Sequence, residues 1–294
     1  MDRKNFLRTL AIIPFAGYTM KLSQFDTITG SLNPTETMPV LFAGHGSPMN
    51  AIEQNEFSEK WKELGNSLPR PNAIICISAH WETKGTFLTA MQQPKTIHDF
   101  GGFPKALFEV EYPASGNPLL ASETAELLKE HEAGLDMRWG LDHGTWSILK
   151  NMYPNADIPV IQMSLDYEKP AGYHFELGKK LAGLRKKGVL IMGSGNMVHN
   201  LGMLDWNNPD MGSDWAVEAN TFFKKHILDQ DYNPLIDYRN MGKAVQLAVP
   251  SPEHYLPMLY ILGMRSENEK LEFFNDKAVM GSLTMTSLLI GNPS

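Results

Sequence analysis

The chain is poor in several things that would take it away from ordinary globular chemistry. It has one cysteine, Cys76, in 294 residues. That excludes an intrachain disulfide framework and any thiolate-rich zinc site. Cys76 falls inside an apolar run and reads as an inert buried thiol. There is no basic excess: 26 Lys and Arg face 33 Asp and Glu, a net charge of −7, which argues against a general nucleic-acid binder. The apolar stretch Leu10–Met20 is too short to span a bilayer, which takes about 20 residues. Internal repeats, low-complexity tracts and linker-like segments are lacking, so a single main domain is expected. A hydrophobic share of 43% gives that domain a sizeable core.

The N-terminus is set apart. Asp2–Arg8 (DRKNFLR) precedes Leu10–Met20, the basic and apolar regions of an export signal. It resembles the twin-arginine pattern with Lys4 in place of the second arginine, but has no clear small-x-small cleavage site. Residues 1–37 therefore read as an extension preceding a domain over 38–294. The compartment is cytoplasmic if the extension is only a tail, and exported if it is a signal.

Within the domain, short apolar runs alternate with helical patterns. Val40–Ala43, Ala73–Ala79, Ile158–Leu165 and Val189–Gly193 read as buried strands. Gly85–Ala90, Leu135–Trp139, Leu271–Asn275 and Ser282–Ile290 read as further strands. Helices are expected over Glu53–Leu68, Pro118–Glu132, Asp142–Pro154 with Thr145 as N-cap, Ala171–Lys187, Asp214–Leu228 and Glu253–Leu262. His98–Pro113 carries too many glycines and aromatics for a regular element and reads as a long loop over a pocket. Asn233–Pro250 is ambiguous. This alternation predicts an α/β fold with a mainly parallel central sheet flanked by helices.

Ligands in such sheets bind outside the carboxyl ends of the strands. His45 follows the first strand in PVLFAGHGSPMN, His80 follows the second in AIICISAH, and His199 follows VLIMGSGNMV. His254 comes after the turn-forming QLAVPSPE. One histidine in such a place is most simply a residue with its polar atoms satisfied by neighbours. Four of nine histidines in the same topological position are better explained by convergence on one metal ion, since neutral imidazole is the commonest protein ligand. His131, His174 and His226 fall on predicted helices and read as solvated.

The segments GHGSPMNAIE, ISAHWET, HDFGGFP, GLDHGTW, GSGNMVHNL and PSPEHYLPMLY, in this order from Met38 onward, resemble the class III extradiol ring-cleavage dioxygenases. Within that LigB-like superfamily they are most similar to the 4,5-DOPA extradiol branch. The resemblance implies that His45, His80 and His254 hold the metal. It makes His199 either a further ligand, as in zinc-bound members, or the catalytic base, as in iron-bound ones. His143 is then a catalytic residue near the dioxygen or substrate end. Many relatives complete a 2-His-1-carboxylate triad, whereas here the third position is His254 with Glu253 beside it. That leaves both Zn²⁺ and Fe²⁺ as cofactors. The implied partners are a small catecholic substrate and O₂.

Ser47 and Asn196 lie in glycine-rich turns where they would reach substrate oxygens, although turn formation alone explains both. The amides of Gly193–Asn196 would form an anion-binding nest or simply a tight turn. Asp142 and Asp166 orient an imidazole or are solvated. Trp81 and Tyr255 line an aromatic pocket or pack in the core. Two other activities suit the same residues: a zinc hydrolase, and a binding module of the Memo-like kind. Iron with oxygen consumption, against zinc without it, separates the first two readings; an exposed peptide-binding groove and a pocket too closed for a catechol mark the third.

Overall fold

The computed structural model describes residues 37–291. Its frame is an eight-stranded sheet: β1 (Val40–Gly44), β2 (Ala73–Thr83), β3 (Phe87–Thr89), β4 (Gly134–Asp136), β5 (Val160–Asp166), β6 (Val189–Gly195), β7 (Leu271–Phe274) and β8 (Ser287–Ile290). Across the sheet they run β4-β3-β5-β2-β6-β1-β8-β7. The four central strands β5, β2, β6 and β1 are mutually parallel. β8 and β7 add antiparallel at one side, and β3 pairs antiparallel with β5 at the other. The sheet is thus mainly parallel, as the sequence predicts, with the reversed strands toward its edges.

Helices α1 (Glu56–Ser67), α2 (Pro118–Leu127), α3 (His143–Met152), α4 (Ala171–Leu181), α5 (Asp214–Leu228) and α6 (Leu256–Gly263) cover the sheet. Period-two alternation sorts the central strands between two cores. Val40, Phe42, Ile75, Ile77, Val189 and Ile191 join α2, α4, α5 and α6 on one face. Leu41, Ala43, Ile74, Cys76, Leu190 and Met192 join α1 and α3 on the other. Burial on both faces explains why these strands read as continuous apolar runs. Cys76 is buried, and burial pushes its thiol up.

Several expected details differ. α3 is capped by Asp142, whose carboxylate accepts from the Thr145 amide at 3.1 Å, so Thr145 is the capped donor rather than the cap. β2 and β6 run past their expected ends, to Thr83 and Gly195. α4 gives way at Leu181 to a 3-10 turn over Ala182–Lys187. The His98–Pro113 loop contains one short helix, Lys105–Phe108. His174 is not solvated: it is fully buried, with Nδ1 3.0 Å from the Tyr260 hydroxyl. His226 faces Asp231 near the surface. The expected export segment lies outside the described residues. Among those described, no helix is long and apolar enough to cross a membrane.

Two stability predictions follow from the packing of α4. A Cβ on Gly178 would lie 2.2 Å from the Tyr260 carbonyl oxygen on α6. Gly178→Ala should therefore destabilise the fold by about 1–3 kcal/mol, read as a lowered urea midpoint. Burial lowers the His174 pKa to about 4, against about 6.5 unfolded. The unfolded chain binds the extra proton first, so this contribution to stability is complete above pH 6.5 and is lost as pH falls toward 4. The loss is roughly 3 kcal/mol. Urea titrations across that window should show a slope shallower by one proton in His174→Gln than in the parent chain.

Candidate metal centre

β1, β6 and β2 are aligned so that Ala43, Ser194 and Ser78 lie level, with Gly44 opposite Gly195. The His45 amide donates to the Gly195 carbonyl at 3.0 Å, carrying its ring over the end of β6. His80 lies within β2, where pairing with β5 slips between Ile77 and Glu82. Such irregularities re-aim a side chain at a strand end. His254 sits in the turn before α6, and its carbonyl accepts from the Asn196 amide at 2.9 Å. Three segments far apart in sequence are thereby brought to one rim.

At that rim a ring nitrogen of each of His45, His80 and His254 lies within 4.8 Å of the others. The Nε2 atoms of His45 and His80 are 3.1 Å apart. Each ring's other nitrogen has its own acceptor. His45 Nδ1 lies 2.9 Å from Ser194 Oγ, which itself donates to the Gly144 carbonyl at 2.6 Å. His80 Nδ1 lies 3.4 Å from Asp99 Oδ2, and His254 Nδ1 lies 3.1 Å from Glu253 Oε1. Because the Ser194 hydrogen is committed to Gly144, His45 Nδ1 must be the protonated nitrogen. The same holds for His254 at the Glu253 carboxylate, which accepts but does not donate. Nε2 of His45 and of His254 is then a bare lone pair, with the His80 ring nitrogen in the same cluster. Lone pairs so placed repel unless a cation lies among them, so the donor set fits a divalent metal ion.

The electrostatics agree. Burial, and then the neighbouring imidazoles, hold His45 and His254 well below the usual histidine range, and burial with His143 brings His80 to about 3. The rings are neutral at physiological pH, the state in which imidazole ligates.

His199 stands one ring further out. It stacks on His254 with centroids 3.5 Å apart and planes 9° apart, and it groups with Glu253 and His254 rather than with the three-nitrogen set. Burial lowers its pKa to about 4 against the pull of Glu253. His143, first residue of α3, is buried with its ring 3.9 Å from that of His80. Its Nδ1 donates to Asp99 Oδ2 at 3.0 Å and its backbone N–H to Oδ1 at 2.9 Å. α3 approaches the strands this closely because residue 144 is glycine: a Cβ there would lie 2.6 Å from Ser78 Oγ and 2.9 Å from His80 Cδ2. Phe100 meets the His143 ring edge-on at 5.6 Å, giving the site an apolar aromatic wall.

The other predicted contacts separate. Asn196 is buried beside His254, its amide group donating to the Thr284 carbonyl while Oδ1 has no partner. Ser47 is exposed and caps the short helix Pro48–Ala51. Tyr255 belongs to the core, which corrects the expectation of a substrate contact. Its hydroxyl donates to the Leu235 carbonyl and its ring packs on Phe223 and Tyr238. Trp81 likewise stacks on Trp139. The Gly193–Asn196 amides belong to β6 and its link to His254, not to a nest. Asp142 is buried rather than solvated, accepting from Ser78 and Gln162. Asp166 ends β5, where it accepts from the Glu168 amide.

Asp99 and Ser194 escape sequence reasoning, although both sit inside the segments that carry the resemblance. Their contacts cross between strands and loops, and no spacing along the chain encodes them. Burial raises the Asp99 carboxyl, but the His143 hydrogen bond and the adjacent rings outweigh it and leave it below its usual range.

Comparison with known proteins agrees with this geometry. A model of the catalytic LigB subunit of aromatic ring-opening dioxygenase matches residues 39–289. A protein of Escherichia coli K12 named 4,5-DOPA dioxygenase extradiol is 48% identical over 258 residues, 86% of this chain and 95% of the relative. A Beta vulgaris protein of the same name is 36% identical, over 84% and 96% of the two chains. The crystal structure of an uncharacterized protein from Escherichia coli K12 matches with a TM-score of 0.77 at 43% identity, covering 86% of this chain and 100% of that one. With the histidine rim at the strand ends and a family match across nearly the whole described chain, this protein belongs to the LigB family of aromatic ring-opening dioxygenases, as an extradiol enzyme of the DOPA dioxygenase type.

Proposed function

We propose that residues 38–294 form a catalytic domain that opens a DOPA-like catechol ring with O₂, using one Fe²⁺ held by His45, His80 and His254. The observation that carries this reading is the set of three ring nitrogens within 4.8 Å of one another, with Nδ1 of His45 and His254 hydrogen-bonded elsewhere and Nδ1 of His80 turned to Asp99 at 3.4 Å. The curated relatives named for 4,5-DOPA cleavage support the substrate class.

A ferrous ion held by His45, His80 and His254 would supply Lewis acidity toward a catechol and the redox chemistry that O₂ requires. The residues around it do the rest. His199, neutral above a pKa of about 4, takes the hydroxyl proton of the catechol on a ring nitrogen. Its stacking on His254 fixes the ring plane, so this nitrogen keeps one orientation. That favours the base role over a fourth ligand. His143 keeps its Nδ1 proton on Asp99, which leaves Nε2 as a lone pair that takes up a proton from the reactants and returns it. Phe100 and the apolar side of the loop after His98 exclude water from the ring. An all-histidine set also takes Zn²⁺, which would occupy the site without supporting oxygen chemistry.

Anaerobic reconstitution with Fe²⁺ should give about one ion per chain, and an oxygen electrode should then record O₂ uptake with a catechol and a yellow product. Tight zinc binding with no uptake across a catechol panel would overturn the reading. His199→Gln should keep the same metal content and lose about 10²–10⁴-fold in kcat, measured by stopped-flow absorbance. Loss of the metal in that variant would instead make His199 a ligand.

A further inference from the structure

One carboxylate in the site is shared by two rings with different duties. Asp99 Oδ2 lies 3.0 Å from His143 Nδ1 and 3.4 Å from His80 Nδ1, while Oδ1 takes the His143 backbone N–H. The two rings are 3.9 Å apart and inclined at 47°, and Oδ2 lies within ion-pair reach of both Nδ1 atoms, hydrogen-bonded to that of His143. Asp99 is not placed by these bonds alone. The residue before its histidine neighbour is fastened twice: the Ile97 amide donates to the Leu141 carbonyl at 2.7 Å, and the Ile97 carbonyl accepts from the Trp146 indole at 2.8 Å. His98 Nε2 lies 2.9 Å from the Val110 carbonyl. The side chain is largely shielded, at 17% exposure. The loop therefore presents an anchored acceptor, and the rings rotate to meet it.

We infer that Asp99 is a positioning residue for both His80 and His143, fixing the tautomer and rotation of a metal ligand and of the histidine beside it through a single oxygen. The inference rests on the reading that His45, His80 and His254 hold the metal. A carboxylate behind a ligating imidazole raises the basicity of the far nitrogen and typically contributes tenfold to a hundredfold in metal affinity. Here the same contact sets the angle at which His143 faces the reactants. A residue serving only the loop would need just Oδ1 and the backbone N–H.

Asp99→Asn separates these roles, because an amide offers one acceptor where the carboxylate offers two. Either His143 N–H or the pair of Nδ1–H donors then faces an NH₂ group. The apoprotein of Asp99→Asn should bind Zn²⁺ about 10–100-fold more weakly in competition with a chelator. At saturating Fe²⁺ its kcat should fall at least about tenfold with KM changed by less than about threefold. Histidine ¹⁵N spectra of the parent apoprotein should show both His80 and His143 as Nδ1–H tautomers, and both resonances should move in the variant. A lower melting temperature with Zn²⁺ affinity and kcat unchanged would reduce Asp99 to a loop anchor and overturn the inference. If Asp99→Asn does not fold, the parent spectra decide: an Nε2–H tautomer at either ring overturns it. Absence of ring cleavage in the parent would sink the proposed activity instead, and the zinc affinities and spectra would still judge Asp99.

Discussion

Everything at the rim depends on where three protons are kept. Ser194 and Glu253 each hold a proton on the outer nitrogen of His45 and of His254, Asp99 lies 3.4 Å from that of His80, and the inner nitrogens are left as lone pairs. Three unprotonated nitrogens in mutual contact are costly in the absence of positive charge, because each has left water without gaining a donor. The fold accepts this cost at the end of its best-packed strands. Its sheet centre, buried on both faces, is rigid enough to keep the rings from turning away.

That rigidity has a local source. The level row Ala43, Ser194, Ser78 puts two hydroxyls below the rings, and α3 lowers its first turn onto them. Gly144 is where helix and sheet touch; its carbonyl takes the Ser194 proton and so sets the His45 tautomer. Asp142, one residue before His143, ties the same turn to β2 through Ser78 and to β5 through Gln162. Burial and the charge of Asp99 raise the Asp142 carboxyl. Its hydrogen bonds to Ser78, Gln162 and the Thr145 amide satisfy it nonetheless. Backbone geometry, tautomer and ligand direction are thus one connected set.

The four parallel strands were legible because burial on both faces leaves uninterrupted apolar runs, and the histidines were legible because each interrupts or ends such a run. What lay beyond reach depended on neighbours across the sheet. Val189–Gly193 gave no sign that pairing with Gly44 extends the strand to Gly195. His174 carries a helical spacing consistent with either face, and only the position of Tyr260 buries it. Tyr255 and His254 are adjacent, yet the turn before α6 sends one ring into the core and the other to the rim. Asp99 sits beside His98, the more conspicuous residue of its segment, which the structure uses to hold the loop.

The order of the strands has a bearing on biosynthesis. Within the sheet β1 is made before the other described strands, but it lies between β6 and β8, and β8 is the last of them to be made. A nascent chain carrying His45 and His80 has neither His254 nor the strand that closes β1 until nearly all of the domain has emerged. Two histidines without the third, on a strand with an open edge, form a weak and poorly shaped site for a divalent ion. The topology therefore delays completion of the three-histidine set until a folded shell exists around it.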